Sequence, residues 1–224
     1  MNKRLFSLIP LLATSVLVGF LIFSINIGNV GAAGRYYAGY FYGTSSVTGV
    51  RANISNANPN IPISGGTSSE WVMAVGSSSS YYTQAGWLKF YGDSAPKYWV
   101  EYAPGCGSSC QFRYGTIDSN PHEYKVEVSG SVFCGYIDGI QKACSNGGFT
   151  TTSNEQFFGE SSDTSVDIGG TQFIHLRMSY LCTKSGATWT QVNTGYLTGK
   201  VDSTRYHIDK GFTNPYTWAD NWTQ

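Results

Sequence analysis

Short stretches of alternating apolar and polar residues recur along the chain after residue 33, separated by clusters of Gly, Ser, Asn and Pro. The clearest stretch covers residues 122–128, where Tyr124, Val126 and Val128 alternate with charged side chains. A period of two residues predicts a β-strand with one face in the core and the other in water. The regular spacing of such stretches is typical of an antiparallel β-sandwich.

The same alternation predicts further strands elsewhere in the chain. They cover residues 47–55, 70–75, 81–91, 97–102, 131–137, 140–144, 156–161, 172–181 and 188–197. No helical period lasts for three turns, so we expect an all-β fold. The segment 212–224, with two tryptophans among polar residues, is expected to dock on the sandwich.

The first 33 residues have a different character. Lys3 and Arg4 precede an uncharged apolar run over residues 5–25, and small residues follow at 31–33. This layout predicts a secretory signal peptide cleaved near Ala32 or Ala33; an uncleaved anchor is the alternative. Either way, residues 34–224 form one secreted or extracellular domain, with no membrane contact beyond the amino-terminal segment.

Composition narrows the functional classes. Aromatic residues make up 15% and charged residues only 12% of the chain, and the formal net charge is zero. Few charges and many aromatics favour a folded domain over disorder. Without long runs of one sign, the chain is not expected to bind nucleic acid or an anionic membrane surface.

All five cysteines lie after residue 33, where an oxidising compartment would preserve disulfides. Cys106 and Cys110 would close a Gly/Ser loop, and Cys134 and Cys144 flank the turn of an apparent hairpin. Cys182 is then left over and is expected to be a buried free thiol. The cysteine and histidine spacings do not match a metal site, and we predict neither a metal nor another cofactor.

Two polar residues in aromatic strands are candidates for chemistry. In the strand over residues 81–91, alternation places Gln84 on the same face as Tyr82 and Gly86. A glutamine amide can donate to a developing oxyanion, and a glycine leaves room for a substrate backbone. In the strand over residues 156–161, Glu160 shares a face with Phe158.

Loss of hydration among aromatics should raise the pKa of Glu160 and allow the carboxyl group to exchange protons with water. Gly159 is expected to remove bulk beside it. The alternative interpretation is an ordinary solvated carboxylate at the rim of the sheet.

These residues stand in an order that resembles a known family. Gln84-Ala85-Gly86-Trp87 is similar to the Gln-x-Gly strand motif of the fungal glutamic peptidases and to the Glu-Ala-Gly-Trp segment of neprosin-type peptidases. Flanking segments resemble pieces of one or both families, at residues 69–72, 91–93, 98–104, 158–160 and 168–170. The resemblance covers roughly residues 47–173.

The resemblance implies a concanavalin-like antiparallel β-sandwich with a groove on the concave sheet, no metal, and a polypeptide substrate. Glu160 would act as general base on a water and then as acid to the leaving amine, while Gln84 would hold the water and stabilise the oxyanion. The resemblance also implies that the enzyme works best in acid. We therefore expect the two side chains to lie close together. The expected groove residues are Tyr82, Gly86, Trp71, Trp99, Phe158 and Glu101.

Some alternatives stay open. Glu101, Glu155 and Asp163 are less well matched substitutes for Glu160. The partner is a glutamine, as in the fungal enzymes, whereas the flanking segments are more similar to neprosin, which uses a second glutamate. A different function is an extracellular module that binds carbohydrate or cell-wall glycan through Tyr, Trp and Asn side chains without catalysis. A structural surface protein is a third.

Overall fold

The computed structural model describes residues 34–43, 46–106 and 109–224, so the predicted signal segment lies outside the described residues. Within them the chain forms sixteen strands. In chain order these are β1 Tyr36–Tyr42, β2 Gly49–Ile54, β3 Thr67–Val75, β4 Tyr82–Phe90, β5 Lys97–Ala103, β6 Cys110–Thr116, β7 His122–Ser129, β8 Val132–Ile137, β9 Ile140–Cys144, β10 Asn154–Ser161, β11 Gly170–Thr171, β12 Leu176–Ser185, β13 Thr188–Gln191, β14 Leu197–Val201, β15 Tyr206–Thr213 and β16 Tyr216–Thr223.

The strands form two sheets packed face to face. The first has seven strands in the order β14-β1-β10-β3-β4-β5-β6 and is called the groove sheet below. The second, the back sheet, has nine strands: β11-β16-β12-β2-β7-β8-β9 form its main path, with β13 beside β12 and β15 beside β16. The pairings are antiparallel except for the short β11–β16 pair. This architecture confirms the predicted concanavalin-like β-sandwich.

One apolar core fills the space between the sheets. Its large members are fully buried and include Trp87 and Phe157 of the groove sheet and Tyr124, Phe133 and Leu181 of the back sheet. Each such side chain removed from water contributes roughly 1.5–3 kcal/mol. The core therefore contains inward-facing side chains from most strands of both sheets.

The predicted strands agree with the structure over most of their length. β7 begins at His122 as predicted, and Ile140–Cys144 is reproduced at both ends. The prediction over residues 188–197 was wrong in its second half, because β13 ends at Gln191 and a 3-10 helix covers Thr194–Tyr196. The side chain of Asn193 accepts a hydrogen bond from the Gly195 N–H at 2.8 Å, which caps that helix.

A second strand begins later than predicted. β12 starts at Leu176, whereas the alternating pattern starts at residue 172. Backbone hydrogen bonds in both directions between Thr171 and Ile174 close a turn there instead. Phe173 and Ile174 on this turn are exposed, so their apolar character is not a sign of burial.

Both predicted disulfides are present in the structure. Cys106 pairs with Cys110, and Cys134 on β8 pairs with Cys144 on β9. Cys182 is a buried free thiol, as predicted. Within the described residues, no helix is long and apolar enough to cross a membrane.

Candidate active site

A row of aromatic side chains crosses the outer face of the groove sheet. Strand register places Phe158 of β10, Trp71 of β3, Gly86 of β4 and Trp99 of β5 side by side. The three aromatic residues are at most 3% exposed, and they form a cluster separate from the core between the sheets. The outer face of this sheet is therefore apolar at its centre, unlike an ordinary solvated face.

Gly86 is required by its neighbour strand. A Cβ atom at this position would overlap the backbone carbonyl of Glu70 on β3. The glycine thus permits β3 and β4 to approach closely between two tryptophans. The room that the sequence pattern attributed to a substrate backbone is occupied by the protein's own strand.

A second row, two residues along each strand, is mainly polar. It contains Gln156 of β10, Met73 of β3, Gln84 of β4, Glu101 of β5 and Gln111 of β6. Two amides in this row donate to the Glu101 carboxylate: Gln84 Nε2 at 3.1 Å and Gln111 Nε2 at 3.0 Å. The Tyr82 hydroxyl donates to the other Glu101 oxygen at 2.6 Å.

This network orients Gln84. The Gln84 amide nitrogen faces Glu101 and donates a hydrogen bond to it. One of its two N–H groups is used in that bond, and the second remains to donate elsewhere. Gln84 itself is 2% exposed, so its orientation is also restricted by packing.

Glu160 lies on the other side of the aromatic row. It is in register with Ser69 on β3 and, through it, with Leu88 on β4. Its side chain is 12% exposed, and Oε1 lies 3.2 Å from Nη1 of Arg35, whose side chain is 53% exposed. Arg35 directly precedes β1.

Burial raises the pKa of Glu160 from its ordinary value of 4.5 to about 7. The Arg35 guanidinium opposes this rise, and the Glu101 carboxylate adds to it. The Trp71 indole N–H also favours the charged form, although it is buried without completing a hydrogen bond. Glu160 is therefore a carboxyl group that can gain or lose a proton near neutral pH.

One groove of about 190 Å³ contains both candidate residues. Arg35, Tyr37, Trp71, Met73, Val75, Ser79, Tyr82, Gln84, Gln156 and Glu160 line it. Within the part of the chain that the structure describes, Gln84 and Glu160 share this groove but no direct hydrogen bond. The register places Glu160 level with Leu88, four residues along β4 from Gln84 (88 − 84 = 4). The two residues therefore share a groove without being neighbours in the sheet, and the expectation that their side chains lie close together is not confirmed.

The other predicted residues have different surroundings. Trp71 and Tyr82 line the groove, whereas Gly86, Trp99 and Phe158 belong to the buried row beside it. Glu101 lies beside Gln84 on the neighbouring strand β5 and accepts a hydrogen bond from its amide.

The two remaining substitutes for Glu160 lie elsewhere. Glu155 is fully buried and accepts a hydrogen bond from the Thr152 hydroxyl. Asp163 is outside the groove lining, and the backbone and hydroxyl of Ser165 donate to it.

Sequence patterns did not identify several lining residues. Met73 and Val75 share the face of Trp71 by simple alternation, so the predicted strand contained that information. Arg35 carries no such signal, because it stands before a strand in which aromatic residues occupy both faces.

A second buried carboxyl group lies between the sheets. Asn221 Nδ2 on β16 donates to Glu70 Oε2 on β3 at 2.8 Å. Glu70 Oε1 and Asn221 Oδ1 are both buried without a hydrogen-bond partner. A Cβ on Gly159 would overlap Glu70 Oε1, so this glycine makes room for Glu70 on the interior face. It does not serve Glu160, contrary to the expectation from sequence.

The fold is that of the glutamic peptidases. Scytalido-glutamic peptidase with a transition state analog inhibitor matches with a TM-score of 0.61, covering 82% of this chain and 97% of that chain at 15% identity. SCP-B, a member of the eqolisin family of peptidases in a complex with the tripeptide Ala-Ile-His, matches with a TM-score of 0.57, covering 84% and 98% at 12% identity. Protein-family models and curated protein sequences give no match.

At these identities the likeness establishes the fold. The predicted resemblance to the glutamic peptidases is confirmed at that level. The neprosin resemblance and the roles of individual side chains remain predictions.

Proposed function

We propose that this protein is a secreted endopeptidase that hydrolyses peptide bonds in acid, with Glu160 as the proton-exchanging group and Gln84 as the oxyanion donor. The observation that carries the proposal is the shared groove: a carboxyl group with a raised pKa and an oriented amide face the same channel. Raised carboxyl pKa values in clefts are typical of catalytic groups. The structural relatives include peptidases with peptide-like ligands bound, which supports a polypeptide substrate.

The chemistry requires a carboxyl group that works in both directions. Below pH 7 Glu160 is mainly protonated. One oxygen accepts a proton from the attacking water while the other gives its proton to the peptide carbonyl oxygen, which forms a tetrahedral diol. In the second step the carboxyl accepts a proton from the diol and gives one to the leaving amine, so the C–N bond breaks and Glu160 is regenerated.

Gln84 would act on the oxygen that gains charge during attack. Its second N–H is free of Glu101 and can donate to this oxygen. Glu101, Tyr82 and Gln111 contribute by keeping the amide in one orientation before the substrate arrives. An amide held in place by this network loses little freedom on reaction.

Export is part of the proposal. Four of the five cysteines are paired in disulfides, which persist in oxidising compartments outside the cytoplasm. The predicted signal segment supports the same location.

The test is cleavage of an unfolded protein from pH 3 to pH 9 by residues 34–224. We expect cutting in acid, with kcat/KM falling as pH rises through about 7, because Glu160 then loses the proton it must give. Glu160→Gln and Gln84→Ala should each lower kcat/KM by roughly 100-fold or more.

Glu123→Gln and Gln141→Ala are matched controls on the back sheet and should cut like the wild type. Thermal melts of all four variants separate loss of chemistry from loss of fold. Cutting that survives in both groove variants refutes the assignment.

A further inference from the structure

Arg35 is the one cation that lines the groove within the described residues. Its guanidinium forms an ion pair with Glu160 at 3.2 Å and is the exposed partner, at 53% against 12% for Glu160. The guanidinium therefore lies on the solvent side of the carboxylate. Both side chains line the groove, so the ion pair between them occupies space beside Glu160.

The groups around this pair offer no equally close substitute. Facing the pair are Tyr37 of β1, Trp71 of β3, Tyr82 of β4 and Glu101 of β5. None of these is a cation. Lys200 of β14 lies over the Tyr37 ring at 4.5 Å but pairs with Asp202 at 3.1 Å.

We propose that Arg35 is a proton-operated latch on the groove: it closes over Glu160 while that carboxylate is charged and releases it when the carboxyl group is protonated. This regulation rests on the proposed function. The groove then admits a polypeptide in acid, and at neutral or alkaline pH the ion pair both covers Glu160 and holds it in the form that has no proton to give.

The energetics fit a latch better than a structural tie. An ion pair with a half-exposed arginine contributes little to the stability of a fold. The same attraction lowers the pKa of the nearly buried Glu160 carboxyl group, because an opposite charge within a few ångströms favours the ionised form. The ion pair also loses its attraction once Glu160 is neutral.

The test compares Arg35→Gln with the wild type by two separate readouts. The first is the titration of Glu160, followed by NMR of the 13C-labelled glutamate carboxyls and assigned with Glu160→Gln. The second is the pH profile of cutting. We expect Arg35→Gln to raise the titration midpoint and to move the falling limb of kcat/KM to higher pH. On that limb the variant should be about tenfold more active than the wild type, the low end of what one close charge does.

Two matched variants serve as controls. Arg35→Lys keeps the charge and should restore most of the wild-type midpoint. Lys200→Gln removes a nearby cation that does not touch Glu160 and should change neither readout. Added salt should raise the wild-type midpoint towards that of Arg35→Gln, because an exposed guanidinium is screened.

The outcomes separate the two proposals. An unchanged NMR midpoint in Arg35→Gln overturns the role of Arg35, whatever the activity. A midpoint that moves while the cutting profile stays in place overturns the latch but keeps the peptidase. A wild-type chain that cuts at no pH overturns the proposed function and, with it, a latch on catalysis.

Discussion

Glu70 and Asn221 each bury one oxygen that has no hydrogen-bond partner, and the two side chains are already joined by one hydrogen bond. A single proton on Glu70 Oε1 can satisfy both atoms by donating to Asn221 Oδ1, which closes a cyclic acid–amide pair. Burial raises the pKa of Glu70 well above its ordinary value of 4.5, in agreement with a protonated side chain. The folded protein therefore keeps a proton here that the unfolded chain loses.

This proton predicts the direction of the pH dependence of stability. The contribution of Glu70 is fully present below pH 4.5 and is lost as pH rises through the higher folded-state pKa. Glu70→Gln forms the same cyclic pair without a titrating proton. We expect it to be more stable than the wild type at pH 8, by about 1–3 kcal/mol, and to depend less on pH. Urea unfolding at pH 4, 6 and 8 measures this.

Gln141→Ala, at an exposed position on the back sheet, is the control and should leave the pH dependence of stability unchanged, because it removes no titrating group. If Glu70→Gln is less stable than the wild type at pH 8, Glu70 is not held as a neutral acid.

At single positions, the sequence draws attention to polar side chains that interrupt an aromatic strand. Gln84 and Glu160 were found in this way, and both line the groove. The ion pair of Arg35 with Glu160 could not be found, because it joins residues 125 positions apart (160 − 35 = 125) across a strand pairing. The sequence predicts Glu101 as a groove residue and as a substitute for Glu160, but not its hydrogen bond with Gln84, which depends on the register of β4 and β5.

At the scale of elements, the hairpin of β8 and β9 is the clearest case in which sequence and structure agree. β9 lies at one end of the back sheet, and Cys134 and Cys144 are direct register partners. Their disulfide closes a loop with a sequence separation of 10. The disulfide links β9, at the edge of the back sheet, covalently to β8.

Removing this bridge with Cys134→Ala and Cys144→Ala together should lower the free energy of unfolding by about 2–3 kcal/mol. The chain regains freedom in the unfolded state, and the edge strand loses its tie. Urea unfolding under non-reducing conditions measures the change. Cys182→Ala removes the free thiol and should have a smaller effect; an equal loss in both proteins would show that cavity formation, not the bridge, is responsible.

Among the strands that the sequence pattern did not predict, β1 and β16 show why. β1 has aromatic residues on both faces, because one face meets the core and the other lines the groove, so no alternation appears. In β16 the usual pattern is inverted: Thr217, Asn221 and Thr223 are buried, while aromatic residues stand between them. The buried polar groups bond Val192, Glu70 and Ile168. These polar side chains can be buried only because each has a hydrogen-bond partner in the interior, and the sequence pattern does not reveal those partners.

At the scale of the whole molecule, the sequence predicted the sandwich but not the order of its strands. Alternation and turn spacing identify strands one at a time. The groove, however, arises because β10 lies between β1 and β3 in the sheet. This pairing brings together distant parts of the chain. Such non-local pairing is not encoded in any short window of residues.

This topology predicts that the sandwich depends on β16. The strand pairs with β12, β15 and β11, and its Asn221 donates a hydrogen bond to Glu70. A chain stopped after Pro215 should lose cooperative unfolding. β15 would lose its pairing with β16, and the buried Glu70 carboxyl group would lose its hydrogen bond from Asn221. Far-UV circular dichroism with urea unfolding measures this.

A chain lacking only Gln224, which is exposed, should behave like the full one. A cooperative transition in the shorter chain would show that the remaining strands suffice.

The rows on the groove sheet follow one another at intervals of two residues, about 6.6 Å. An extended polypeptide repeats its side-chain direction over the same length. A chain lying along these strands would therefore set its alternate residues against successive rows, such as the level of Trp71 and the level of Gln84 and Gln156. Selectivity in such a channel would be distributed over every second position of the bound chain instead of residing in a single pocket.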